Sequence, residues 1–167
     1  MDKSFYMGEA QRAHVARHFS KADLAGSHFF ASSMKSPEEL LVFINSNPPV
    51  EVIAQSKTRF AFRFQSNDNR AIGTCGLALR SSLSDDQIKP QVRDGFTIDI
   101  GFVDELPETN QFCVIADETP EGFSVITAFP GGYARPFARK DQPANEYAIN
   151  KQFWEQHVLL KATSTNP

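Results

Sequence analysis

The stretch Phe123–Arg139, FSVITAFPGGYARPFAR, constrains this chain more than any other. Phe123 to Phe129 are apolar or β-favouring, with Ser124 and Thr127 as the hydroxyl residues, which is the pattern of a buried strand. The strand must stop at Pro130-Gly131-Gly132, because Pro lacks a backbone donor and Gly tolerates positive φ. A loop rich in cations and rings follows, with Tyr133, Arg135, Phe137, Arg139 and Lys140. A core strand therefore delivers one hydroxyl, on Thr127, and then a basic aromatic loop to one end of a sheet. Loops held at strand ends are common places for function.

The rest of the chain supplies helices before strands. Gly8 to about Phe19 is helix-tolerant, and Ser20 can cap a second short helix over Lys21–Phe29. Ser36-Pro37-Glu38-Glu39 is a stronger start signal: Ser36 caps, Pro37 takes the first helical position, and Glu39 reaches back. Leu40, Leu41, Phe43 and Ile44 then form a buried face that ends over Asn45–Pro49. After Pro49 the period changes to two. Val50–Ile53, Thr58–Gln65, Ala71–Arg80, Phe96–Val103, Gln111–Asp117 and Phe123–Phe129 read as strands, clearest where Phe60, Phe62 and Phe64 alternate with Arg59, Ala61 and Arg63. Asn67-Asp68-Asn69 is read as the first hairpin turn and Thr119–Gly122 as the last. Ser81–Gly95 is a polar connection, Glu146–Leu160 a closing helix, and Ala162–Pro167 a frayed end. The expected fold is α+β: N-terminal helices, a mainly antiparallel twisted sheet, and a C-terminal helix.

A length of 167 residues suits a single domain, 1–167. No apolar run approaches the length of a membrane helix, and MDKSFYMGEA lacks the apolar core of a secretory signal, so neither is expected. Cys75 and Cys113 each fall inside an expected strand and read as buried thiols, with a disulfide left open. A net charge of −3 argues against bulk polyanion binding. The charge is uneven, however: seven acids between Asp99 and Glu121 meet no Lys or Arg, while Arg12–Lys21 and Arg135–Lys140 are locally basic.

His14 and His18 are four residues apart on the first expected helix, with Arg17 beside them. Two imidazoles and a guanidinium can carry out metal-independent RNA cleavage. One neutral His takes the 2′-OH proton, a protonated one gives a proton to the leaving 5′-oxygen, and the cation stabilises the charge on the phosphorus-centred transition state. A zinc reading is weaker: the residues between the two histidines are Val15-Ala16-Arg17, with no Glu and with a cation, so no metal is expected. His28 reads as structural and His157 as packing against Trp154. The absence of GxSxG, CxxC and a phosphate loop leaves no support for a nucleotide or any other cofactor.

Two pieces together, AHVARHFSKADL (Ala13–Leu24) and VITAFPG (Val125–Gly131), resemble the RNase A-like C-terminal toxin domains of bacterial polymorphic and contact-dependent inhibition systems. The resemblance covers Gln11 to Gly131 and rests on His18 and on Thr127-Ala128-Phe129-Pro130. It implies a toxin with ribonuclease activity on RNA, tRNA among the candidates. It would be delivered as the tail of a longer secreted protein, act in the bacterial cytoplasm, and be restrained by a cognate immunity protein. His18 would take the main acid/base role and Thr127 would hold the scissile phosphate. Two departures stand out: Phe129 replaces the family's Tyr, and the family's Arg in the second short helix is missing from Ser27-His28-Phe29. On the full reading His18, His14, Thr127 and Arg17 are the candidate catalytic residues. Arg135, Tyr133, Arg139 and Phe129 are the candidate substrate contacts, with Tyr133 or Phe137 stacking a base. The rival is a non-catalytic binding module or an immunity-type partner of a nuclease, favoured by the acidic Asp99–Glu121 region and by the two departures.

Overall fold

A computed structural model of the chain describes residues 4–19, 29, 34–93 and 96–163. In chain order the described elements begin with β1 (Phe5–Tyr6), α1 (Glu9–Ala16), α2 (Pro37–Ser46), β2 (Glu51–Ala54), β3 (Arg59–Gln65), β4 (Gly73–Thr74) and β5 (Leu77–Leu79). They continue with β6 (Ile88–Arg93), β7 (Phe96–Val103), β8 (Glu108–Thr109), β9 (Gln111–Thr119), β10 (Gly122–Pro130), α3 (Ala144–Gln156) and β11 (His157–Ala162). Helices and mainly antiparallel sheets occur together, so the chain is α+β. It divides into two compact units, Met1–Cys75 with Pro107–Tyr133, and Gly76–Leu106 with Ala134–Pro167.

The first unit is built on the five-stranded sheet β1-β10-β9-β3-β2, antiparallel except where β1 runs parallel to β10. Strand alternation puts Phe60, Phe62 and Phe64 of β3 on the same face as Phe112, Val114 and Ala116 of β9. That face meets Val15 of α1 and Leu40 and Ile44 of α2 in one apolar cluster. Phe rings fill it edge-on and stacked, as with Phe5 on Phe62 at 4.9 Å and Phe64 on Phe112 at 5.3 Å. A ring without a polar atom needs no partner in such a place, which is the physical use of so many Phe residues. The serine cap of α2 forms as expected, Glu39 N–H donating to Ser36 Oγ at 3.3 Å; Glu39 Oε2 reaches one residue beyond the cap and accepts from Lys35 N–H at 3.3 Å. The two-residue strand β1 is held by Asn45, whose amide oxygen accepts from Phe5 N–H at 2.8 Å and whose Nδ2 donates to Phe5 O at 3.1 Å. Arg12 of α1 pairs with Glu38 of α2.

A β-bulge interrupts β10. Val125 lies opposite Ala116 and Thr127 lies opposite Ile115, so Ile126 is the extra residue. Before the bulge the odd-numbered residues Phe123 and Val125 face the core; after it the even-numbered Ala128 does. The strand ends at Gly131, with φ of 106°, where an added Cβ would lie 2.8 Å from Cys75 Sγ.

The second unit carries the four-stranded sheet β5-β11-β7-β6. β11 is interior, antiparallel to β5 and parallel to β7. Its Val158 and Leu160 are buried with Ile98 and Ile100 of β7. Gly101 leaves room for Leu83, Val158 and Leu160, which would crowd a Cβ there.

Several expectations change. The closing helix spans Ala144–Gln156 rather than Glu146–Leu160: His157 is extended (φ −129°, ψ 155°) and starts β11. The Ser81–Gly95 connection contains short 3-10 turns and the strand β6, whose Pro90 sits on an edge strand, where a missing donor is tolerated. Ala71–Arg80 is two short strands, β4 and β5, and Cys75 falls between them. Asn67–Asn69 is a turn, with positive φ at Asp68 and Asn69, but β3 pairs with β2 and β9 and not with β4, so it closes no hairpin. The hairpin β9–β10 turns over Pro120-Glu121 as expected. The short helix expected over Lys21–Phe29 lies outside the described residues, save Phe29, which is buried and bridges to Gly73. Neither cysteine is in a disulfide.

Candidate functional site

The helix α1 turns Val15 into the core and leaves His14 and Arg17 exposed. Arg17 opens a 3-10 turn, Arg17–Phe19, so the α-helical repeat that would give His14 and His18 a common face ends at Ala16. The side chain of His18 lies outside the described residues. Thr127 is half-buried, and the bulge sets it on the sheet face away from the cluster that holds Val15. The structure therefore brings His14 and Arg17 onto the helix layer and leaves Thr127 on the other side of β10. Phe129, opposite Cys113, shares the face of Thr127.

That outer face is polar but charge-balanced. Arg59 grips Asp117 with two bonds, Nε to Oδ1 at 2.7 Å and Nη2 to Oδ2 at 2.9 Å. The hydrogen bond from Arg59 holds the Asp117 carboxyl below its usual range, and Asp117 in turn raises Arg59. Arg63 donates to Glu51 at 2.9 Å and to Gln111 at 3.0 Å. The buried Cys113 thiol lies among these groups, and burial lifts its pKa to about 12. Tyr133 joins this unit, its hydroxyl accepting from Gln55 Nε2 at 3.0 Å.

The other loop residues belong to the second unit, so the run Tyr133–Lys140 is shared between the two. Arg135 is drawn into packing: its Nε donates to Oδ1 of buried Asn150 at 2.7 Å. Asn150 bonds Gln142, which accepts from the Arg139 backbone N–H and donates to Phe137 O. The Arg139 side chain is exposed. Phe137 lies against Trp154, ring centroids 4.7 Å apart.

A cleft of about 360 Å³ opens within the second unit, at the end of α3. Lys151, Trp154 and Glu155 line it from α3, at the i, i+3, i+4 spacing that puts side chains on one helix face. Thr97, Ile98 and Asp99 of β7, Phe137 with Ala138, and the side chains of Arg80 and His157 complete its walls. Arg80 is tied down by Asp99 at 2.6 Å and by the carbonyl oxygen of Glu155 at 2.9 Å. His157 stacks on Phe153, ring centroids 4.0 Å apart and planes 8° apart, instead of on Trp154 as expected. Its Nδ1 is 2.8 Å from Phe153 O. A carbonyl only accepts, so Nδ1 carries the hydrogen, and in the neutral ring Nε2 is left as an acceptor. Thr97, Lys151 and Glu155 have no side-chain partner among the described residues. The helix spacing of Lys151, Trp154 and Glu155 was legible in the sequence; the facing wall from Thr97–Asp99, some fifty residues earlier in the chain, was not. Among the described residues no group of three His, Cys, Asp or Glu could hold a metal ion, and no helix is long and apolar enough to cross a membrane.

The chain matches no protein-family model and no curated protein. It is similar in fold to a crystal structure described as a conserved hypothetical protein from Toxoplasma gondii ME49, with a TM-score of 0.55 at 10% identity. The match covers 99% of this chain and 98% of that one, and at this identity it speaks for the fold alone.

Proposed function

We propose that this chain is a non-catalytic binding module whose ligand enters the α3 cleft of the second unit. The observation that carries the reading is the cleft itself: a wall of two aromatic rings beside polar side chains that have no partner among the described residues. Concave, mostly apolar sites with a few placed polar groups are where small ligands bind. The ribonuclease alternative needs an acid/base helix and a phosphate-holding hydroxyl on one substrate. Here His14 and Arg17 stand on the helix layer, and Thr127 points from the opposite face of β10. The polar sheet face that Thr127 joins matches two arginines with two carboxylates, which is poor footing for a phosphate chain.

The experiment is direct because Trp154 is the single tryptophan of the chain. Its fluorescence reports occupancy of the cleft with no label. The expected result is saturable quenching of Trp154 by a small ligand in the wild-type chain, with weaker binding of the same ligand to Trp154→Phe measured by calorimetry. In parallel, folded protein incubated with total tRNA and excess EDTA leaves the RNA intact. Metal-independent cutting that disappears in His18→Ala overturns the proposal and restores the nuclease reading.

A further inference from the structure

Lys151 and Glu155 stand one helical turn apart on α3, with side chains that carry opposite charge. Such a pair commonly closes on itself, yet here neither makes an ion pair or side-chain hydrogen bond among the described residues. Both line the cleft, with Trp154 between them on the same helix face and Phe137 against its ring. Arg80 and Asp99 are also present, but they neutralise each other. The cleft therefore shows no net charge, yet it offers one open cation and one open anion beside an apolar wall.

That combination selects for a dipolar ligand. A lone cation would meet Lys151 and a lone anion would meet Glu155, each with one repulsive contact. We infer that the cleft takes a zwitterionic α-amino acid with an aromatic or large apolar side chain; the inference rests on the binding-module reading above. The ligand carboxylate accepts from Lys151 Nζ and the Thr97 hydroxyl. Its ammonium donates to the Glu155 carboxylate and to His157 Nε2, the nitrogen left as an acceptor by the bond at Nδ1. Its side chain lies on Trp154 and Phe137. Each charged end of the ligand so finds one charged and one neutral partner, and no bond is made or broken.

The test uses three compounds with one ring: L-phenylalanine, 2-phenylethylamine (no carboxylate) and 3-phenylpropionate (no amine). Binding to the full chain is read from Trp154 fluorescence and repeated by calorimetry. Both charged groups are solvent-facing, so each is expected to contribute a few-fold: about fivefold weaker binding for either single-charge analogue. Lys151→Gln should erase the advantage of phenylalanine over the amine and leave its advantage over the acid. Glu155→Gln should do the reverse. This crossed pattern is one that a merely structural role for either residue does not produce, and both positions are exposed enough for the variants to fold. Equal binding of all three compounds, or discrimination that survives both substitutions, overturns the inference and leaves cleft binding standing. Absence of any phenylalanine binding by the folded protein also overturns it. Only metal-independent tRNA cleavage removes the binding-module reading itself, so the two failures are told apart.

Discussion

Cys113 is fully buried on β9 and Cys75 is half-buried beside Gly131. Nucleophilic attack by sulfur needs the thiolate, and burial has raised Cys113 from the usual 9.0 to about 12. In the native protein at pH 8 a thiol reagent should therefore modify Cys75 alone, and Cys113 should react only on unfolding; two fast thiols in the folded protein would contradict this. The same shift has a sign for stability. Between pH 9 and 12 the unfolded chain loses this proton and the folded one keeps it, so the thiol's contribution is full below 9 and falls as pH rises. Asp117 runs the other way. Its folded pKa is depressed, so its contribution is present above the usual carboxylate range and fades as acid protonates the folded form. Urea midpoints measured from acid to alkaline pH should decline at both ends, and Asp117→Asn should flatten the acid limb only. Gly131→Ala should be destabilising by about 1–3 kcal/mol, because φ of 106° and the nearby Cys75 sulfur both oppose a Cβ.

Among the elements, α2 was the most legible. Ser36 capping Glu39 N–H and the buried Leu40 and Ile44 all follow from side chains within one helix. Ser36→Ala should cost about 1 kcal/mol in chemical denaturation. β7 and the hairpin β9–β10 were equally local in their signals. The limit of such signals appears at Thr127. A strict period of two counts it on the side of Phe123 and Val125, yet one bulged residue moves it to the other face. A bulge leaves no mark in hydrophobic alternation when the extra residue, Ile126, is itself apolar. Deleting Ile126 should heal the ladder, because Val125 and Thr127 already face consecutive residues of β9. We expect the deletion to lower the melting temperature far less than deletion of Val114 from the unbroken β9. The reverse order would show that Ile126 is a core residue in its own right. β11 was missed for a different reason. Val158-Leu159-Leu160 is apolar without a gap, as fits a strand between two neighbours, and such a run prolongs a helical pattern as readily as it starts a strand.

At the scale of the molecule, each unit is assembled from two separated pieces of chain. This was not legible: Pro130-Gly131-Gly132 stands just ahead of the crossing at Tyr133/Ala134, but no such run marks the crossings at Cys75/Gly76 and Leu106/Pro107. The candidate residues divide along the same line: Thr127 and Tyr133 belong to one unit, Arg135 and Arg139 to the other. The α3 cleft, by contrast, lies wholly within one. A chain truncated after Gln156 loses β11, the interior strand on which β5 and β7 both pair. The expected outcome is loss of protection in β5 and β7 by hydrogen exchange, with a red-shifted Trp154 emission; native-like emission would be evidence against β11 as the organiser of this unit.

The interleaving also sets a timetable during synthesis. The β2–β3 hairpin leaves the ribosome long before β9, the strand that covers its open edge, since Gln65 and Gln111 lie far apart in the chain. At ordinary elongation rates that interval is roughly 2–9 s. For that time the Phe60-Phe62-Phe64 stripe has neither its neighbour strand nor its full core, and an unpaired edge with an apolar face invites pairing with another nascent chain. Arg59 and Arg63 alternate with those rings along the same strand; Glu51 of β2 already faces Arg63 within the hairpin, but until Asp117 and the rest of β9 arrive the charge of Arg59 lacks its carboxylate. A residue whose charge is later cancelled within the folded sheet thus acts first as a like-charge bumper between growing copies, so yield on expression should depend on Arg59 more steeply than the stability of the finished protein does.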